Sequence, residues 1–188
     1  MRVTGGEFCG RILAVPGSGA IRPTQDRVRA ALFNILAPEI AGAEFLDLFA
    51  GSGAVGIEAL SRGAGRAVFV ERDRRNLAVL KGNLEMLGAV GRADTVAADA
   101  YRWVASYSGG GFGVAFADPP YALGEERGYV DFLATLAARG VVVQGGIFAA
   151  EMTVSQCADE APGWELLRNR VYGGTRLCVW RRTGQIMV

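Results

Sequence analysis

At 188 residues, 51% of them apolar and 21% charged, the chain is long enough for one substantial core and too apolar to be disordered. No run approaches the roughly 18 apolar residues of a membrane span, and Met1-Arg2-Val3-Thr4-Gly5-Gly6 lacks the apolar stretch of a signal peptide. The complete absence of histidine excludes histidine-based triads, histidine general bases and histidine-ligated zinc.

Cys9, Cys157 and Cys178 lack C-x-x-C spacing, so reduced thiols in a cytoplasmic protein without a metal are expected. The net charge of +1 conceals an asymmetry. Residues 1–30 carry five arginines against Glu7 and Asp26, and residues 166–188 carry five arginines and no acid, leaving a strongly acidic middle. Basic ends around an acidic body suit a local anionic partner; plain solvated charge is the alternative.

In chain order, Arg2–Thr4 and Arg11–Val15 read as two short strands of a hairpin, followed by a Pro16-Gly17-Ser18-Gly19 loop. A helix is expected next, with Thr24 as N-cap, Asp26 in its first turn, Val28, Leu32, Ile35 and Leu36 on one face, and Pro38 as its stop. Arg27 and Arg29 fall off that apolar face. Phe45–Phe49 is an apolar run with the look of a buried parallel strand, and Gly51-Ser52-Gly53 turns it into a helix opened by Val55 and Ile57.

Arg66–Glu71 is a second buried strand, Asp73–Leu87 a helix, Thr95–Asp99 a third strand and Ala100–Tyr107 a short helix. Phe112–Ala117 is a fourth strand running into Asp118-Pro119-Pro120-Tyr121, Glu125–Ala138 a helix and Ile147–Met152 a fifth strand. Trp164–Tyr172 and Thr175–Arg182, joined by Gly173-Gly174, read as a hairpin. The alternation predicts an α/β, Rossmann-like fold: a mostly parallel seven-stranded sheet with an antiparallel C-terminal hairpin and an N-terminal hairpin-plus-helix extension. The expected division is an extension over 1–39 and a domain over 40–188.

In such a sheet ligands sit at the C-terminal strand ends, where Asp47, the Gly51 turn, Glu71, Asp99 and Asp118 fall. Gly51, Gly53 and Gly56 satisfy G-x-G-x-x-G: side chains at the first two would hold a ligand off the backbone, and the third lets helix and strand pack closely. Tight-turn chemistry alone is the competing explanation. Glu71, twenty residues after Gly51, has the spacing of an acid that grips ribose hydroxyls. Asp99 is placed either to accept from an adenine amino group or to cap the following helix. Asp118-Pro119-Pro120-Tyr121 offers a carboxylate, free carbonyls and an aromatic ring, a set suited to a planar group bearing an NH₂. Asp118 and the Pro119 carbonyl would each accept an amine hydrogen while Tyr121 stacks on the ring.

Asp47–Gly53, Gly56–Ala64 and Asp118–Tyr121 resemble S-adenosylmethionine-dependent amino-methyltransferases. Gly5-Gly6, Gly10-Arg11, Ile21-Arg22-Pro23-Thr24, Asp26–Arg29 and Leu32-Phe33-Asn34 narrow the resemblance to the RsmD-like family, over nearly the full chain. Asp118 stands where many relatives have Asn, and Gln25 where Thr is frequent. The resemblance implies methyl transfer from S-adenosylmethionine, leaving S-adenosylhomocysteine, to the N2 amine of a guanine in small-subunit (16S) ribosomal RNA. It implies that Asp47 and the Gly51-Ser52-Gly53 backbone hold the methionine end, Glu71 the ribose and Asp99 the adenine, with Thr24 closing over the cofactor. The expected partner is ribosomal RNA or a small-subunit assembly particle, without a membrane, and a monomer is expected.

Three other readings compete. A dehydrogenase fits the glycine motif and Glu71 but leaves the Asp118 turn unexplained; DNA is the alternative polyanion for the same amine chemistry; a non-catalytic RNA-binding module fits the fold alone. Arg2, Arg11, Arg22, Arg27 and Arg29 are expected to form an RNA-facing rim through phosphate contacts. The competing view makes the N-terminal segment only a cover for the edge of the core.

Overall fold

Where an apolar run lies between turn residues in this chain, the backbone extends, and the glycine or acid that ends the run begins the next helix. The computed structural model describes residues 1–17, 23–119, 129–156 and 161–184. Among the described residues seven strands, β1 (Glu44–Leu48), β2 (Arg66–Glu71), β3 (Ala93–Ala97), β4 (Phe112–Ala117), β5 (Val142–Thr153), β6 (Trp164–Tyr172) and β7 (Thr175–Arg182), form one sheet in the order β3-β2-β1-β4-β5-β7-β6. The first five are mutually parallel, and β7 lies antiparallel between β5 and β6. Strand order reverses between β1 and β4, which opens a crevice at their C-terminal ends. The mixed sheet is the Rossmann-like α/β architecture expected from the sequence.

Alternation along β1 divides the molecule into two layers. Phe45 faces a core with Phe33 and Leu36 of α1 (Pro23–Ile40), Ile57 of α2 (Ala54–Ser61) and Leu80 of α3 (Arg74–Leu87), joined by Val3, Phe8 and Leu13. Leu46 and Leu48 face the other core, with Val104 of α4 (Ala100–Ser106), Phe132 and Leu133 of α5 (Tyr129–Ala138), Phe148, Trp164 and Trp180. Each fully buried large side chain contributes about 1.5–3 kcal/mol relative to exposure.

Several boundaries differ from expectation. Residues 1–15 form no named strands: a single antiparallel bridge joins Arg2 to Ile12, supported by Val3 N–H to Arg11 C=O and Gly10 N–H to Val3 C=O, both 3.0 Å. The glycines of 5–10 turn the chain too sharply for a longer ladder. Helix α1 starts at Pro23, so Thr24 is within the helix and not its cap; proline suits a first helical position, where its missing N–H has no intrahelical partner. Pro38 does not stop α1, which runs to Ile40 and buries that side chain. In the last turn the lost hydrogen bond is outweighed by apolar packing. Strand β3 begins two residues earlier than expected, leaving Asp99 beyond its end. Strand β5 begins at Val142, five residues early, and carries Gly145-Gly146 through a register shift against β4. The hairpin strands and β2 and β4 have the expected bounds.

Candidate functional site

The turn after β1 is shaped by two carboxylates from the sheet. Asp47, buried on β1, accepts from the Gly56 N–H at 2.8 Å and so caps α2, whose own N-cap residue, Gly53, has no capping side chain. Glu71, at the end of β2, accepts from the Gly51 N–H at 2.8 Å with one oxygen and from the Asp73 N–H at 2.7 Å with the other. It thereby ties the glycine turn to the start of α3, where Asp73 accepts from Arg75 and Asn76 N–H.

The glycines divide their roles differently from expectation. A Cβ on Gly56 would lie 2.3 Å from the Phe69 ring, so this glycine lets α2 pack on β2. A Cβ on Gly53 would meet Leu80 Cδ1 at 2.1 Å, and its φ of +81° is left-handed; packing and backbone, not a ligand, exclude a side chain there. Only Gly51 of the first two opens onto space free of other atoms. Phe49 has φ of +62°, costly for a bulky side chain, and sits at the mouth of the crevice.

Two cavities meet there. One, of about 170 Å³, is lined by Arg29, Asp47, Gly51, Ser52, Asp118 and Glu151 among others. The second, of about 300 Å³, is lined by Glu71, Asp73, Asn76, Ala98 and Ala100 among others. Phe49, Gly51 and Asp118 border both, so the two are continuous. Asp99 is not among the lining residues of either: it caps α4 by accepting from Arg102 N–H at 3.1 Å and lies 3.8 Å from Arg72. Pro119 is buried at the end of β4. Tyr121, Arg22 and the side chain of Thr24 lie outside the described residues, as does Cys157.

The smaller cavity holds more acids than it has donors to meet them. Burial, helped by the charge of Glu71, pushes Asp47 up to about 7 against the opposing Gly56 hydrogen bond. Asp118 opens onto the cleft, yet surrounding protein atoms, then Glu151 and Asp47, hold its pKa well above the carboxylate range. Glu151 is raised by burial too, although the Thr175 hydroxyl and the Arg29 guanidinium pull the other way. Burial beside Asp118 also raises Tyr129, whose hydroxyl donates to the Glu151 carbonyl at 3.0 Å. A cation or a group rich in N–H donors would relieve all three acids.

The arginines of the N-terminal segment part company. Arg2, Arg11 and Arg27 are exposed. Arg29 is 4% exposed, contrary to the expectation of a surface phosphate contact. Its Nε donates to Glu58 at 3.3 Å, and its Nη2 donates to Asp26 at 2.9 Å and to the Arg2 carbonyl. Glu58, wholly buried in α2, also accepts from Thr4 N–H, Thr4 Oγ1 and Arg62 Nε at 2.6–2.9 Å. A buried carboxylate demands such partners, and that demand draws Arg29 inward.

Sequence reasoning gave Arg29 the wrong role and missed Glu58, Glu151 and Asn83. Asn83 bonds Ala14 through both amide groups at 2.8 and 3.0 Å and donates to the Ser52 carbonyl at 3.0 Å, joining the N-terminal segment to the glycine turn. The one available signal was polarity on an otherwise apolar face, as at Glu58 between Ile57 and Ala59.

A family model described as "Conserved hypothetical protein 95" matches residues 1–181. The chain is 38% identical over 186 residues to ribosomal RNA small subunit methyltransferase D of Escherichia coli K12, covering 98% of this chain and 91% of that protein. It is 34% identical to YlbH of Bacillus subtilis over 98% of this chain and all of that one. The structure of Escherichia coli yhhF superimposes with a TM-score of 0.87 at 35% identity, covering 98% and 99% of the two chains. A protein sharing only the fold, SMU.776, 18% identical with a TM-score of 0.62 over 86% of this chain and 50% of its own, was solved with S-adenosylhomocysteine.

Proposed function

The chain belongs to the "Conserved hypothetical protein 95" family, that of the RsmD-like methyltransferases, and on that premise we propose that it methylates the exocyclic N2 amine of a guanine in small-subunit ribosomal RNA, using S-adenosylmethionine. The observation that carries the reading is the pair of joined cavities, with the Gly51 turn on one side and Asp118 between them. The residues fit that cofactor: Gly51 leaves room for close backbone approach, and a sulfonium cation is the charge that Asp47, Asp118 and Glu151 favour. Glu71 and Asp47 keep unused carboxylate lone pairs for the ribose and the methionine ammonium, and Ser52 and Gly53 contribute turn backbone. Asp99, already a helix cap, retains one oxygen toward the adenine.

When bound, S-adenosylmethionine supplies a methyl group on a positively charged sulfur. This chain's own part is to make a poor nucleophile reactive. The guanine amine is planar because its lone pair is delocalised into the ring. Asp118 and the Pro119 carbonyl accept its two hydrogens and draw the nitrogen toward a tetrahedral shape, which frees the lone pair. Asp118 then takes the surplus proton or passes it to water. Positioning the amine at about 3–3.5 Å from the methyl carbon supplies much of the acceleration. Tyr121 stacks on the extruded base.

Residues 1–39 act as the RNA-facing extension of a methyltransferase domain formed by 40–188, with exposed Arg2, Arg11 and Arg27 as its phosphate contacts and Arg22 as a further candidate. The substrate places the reaction in the cytoplasm, on RNA or an assembly particle. Among the described residues, no helix is long and apolar enough to cross a membrane. Incubation with labelled S-adenosylmethionine and, separately, small-subunit RNA, assembled particles and DNA tests the reading. N2-methylguanosine in the RNA or particle is the expected product; label confined to DNA or to another base overturns it.

A further inference from the structure

The cavity holds one more acid than the transfer requires, and the sheet dictates where it stands. Strands β4 and β5 are parallel, with Ala117 opposite Ala150. Asp118 and Glu151 are therefore the next residues on neighbouring strands, whose backbones lie about 4.8 Å apart. Both line the smaller cavity, and the charge of Glu151 raises the affinity of Asp118 for protons. Glu151 is turned toward this space although an apolar residue there would cost less, since a half-buried carboxylate is stable only with donors.

We infer that Glu151 is the specificity-determining residue of the base site: its carboxylate accepts the ring N1–H of guanine while Asp118 and Pro119 hold the neighbouring amine. This rests on the proposed transfer to a base amine. Guanine presents an N1–H donor directly beside its N2 amine, so two adjacent carboxylates meet an unbroken row of donors. Adenine and cytosine place a ring-nitrogen lone pair beside their amines, and that lone pair would face the Glu151 oxygens in repulsion. The Asp118 turn alone accepts an amine from any of the three bases. The neighbouring acid distinguishes them. Thr175 and Arg29 favour the ionised, accepting form of Glu151 against the burial that raises its pKa, and a bound N1–H donor adds to their pull.

The test uses substrate RNA carrying, at the modified position, guanine, 2-aminopurine or N1-methylguanine. 2-Aminopurine retains the reacting amine but has a lone pair at N1. In single-turnover transfer the parent should favour guanine over both analogues by about tenfold or more, the range of a hydrogen bond to a charged group. Glu151→Gln, whose carboxamide can donate to that lone pair, should narrow the guanine to 2-aminopurine ratio, and Glu151→Asp should partly restore it. A purely structural role would lower both rates and leave the ratio alone. An unchanged ratio in Glu151→Gln overturns the inference. So does a parent enzyme that accepts either analogue as readily as guanine, a result that needs no variant to fold. Absence of transfer to guanine by the parent overturns the underlying reading, and this inference with it.

Discussion

Two groups of acids lie in and around one crevice, and they are in opposite condition. Glu58 and Glu71 are both buried, yet each is met by donors: four contacts from Thr4, Arg29 and Arg62 for Glu58, and two backbone N–H groups for Glu71. Asp47, Asp118 and Glu151 are crowded together with too few donors, and all three are shifted toward the protonated form. The contrast separates architecture from function. Satisfied acids hold the N-terminal segment and the glycine turn in place, whereas under-satisfied ones wait for a ligand that is cationic or rich in N–H groups.

The comparison breaks most severely if a satisfied acid loses its partner. Arg29→Ala, which leaves Glu58 buried with less compensation, should lower unfolding free energy by about 3–5 kcal/mol in urea titration. A loss under 1 kcal/mol would mean that Thr4 and Arg62 suffice. Among the under-satisfied acids, Asp118→Ala should reduce single-turnover transfer by about 10²–10³-fold, the range for removing one transition-state acceptor or donor. Calorimetry should show a much smaller loss of cofactor affinity, since Asp118 is one of three acids toward the sulfonium; near-parental turnover would remove the central group of the mechanism. Glu71→Gln should weaken the cofactor by about tenfold through loss of a charged acceptor. Equal affinity would leave Glu71 as a brace for Gly51 and nothing more.

A pH profile sharpens the contrast without touching the cofactor. Asp47 titrates near 3.8 when unfolded and about 7 when folded, so between these values the native state binds the extra proton. Stability of the unliganded protein should therefore fall as pH rises from about 4 to about 7, and Asp47→Asn should flatten that slope in thermal melts. Asp118 and Glu151 add to the fall with the same sign. A curve that rises over this window would contradict the crowding argument. The smallest effect concerns the rim. Replacing exposed Arg2, Arg11 and Arg27 together by Ala should flatten the slope of log RNA affinity against log salt by about 0.7–0.9 per lost contact. Their substitution should leave the melting temperature nearly unchanged, and an unchanged salt slope would transfer the role to the C-terminal arginines.

The sequence by itself determined the strand and helix order, the edge on which the site lies and the identity of the turn-borne acids. These depend on local periodicity, glycine turns and strand ends, all short-range signals. Asp118 and Glu71 were legible because they end apolar runs. Glu151 sits inside a strand, where only the β4–β5 register reveals that it neighbours Asp118. Arg29 looked like a surface charge because helical spacing places it off the apolar face, and only Glu58, twenty-nine residues away, turns that position into an interior one. Asp99 could be a cap or a ligand contact by its sequence; the start of α4 makes it a cap and leaves only its second oxygen for a ligand. Which acids are satisfied depends on donors brought from distant segments. Charge balance in the crevice was therefore decided by the tertiary structure alone.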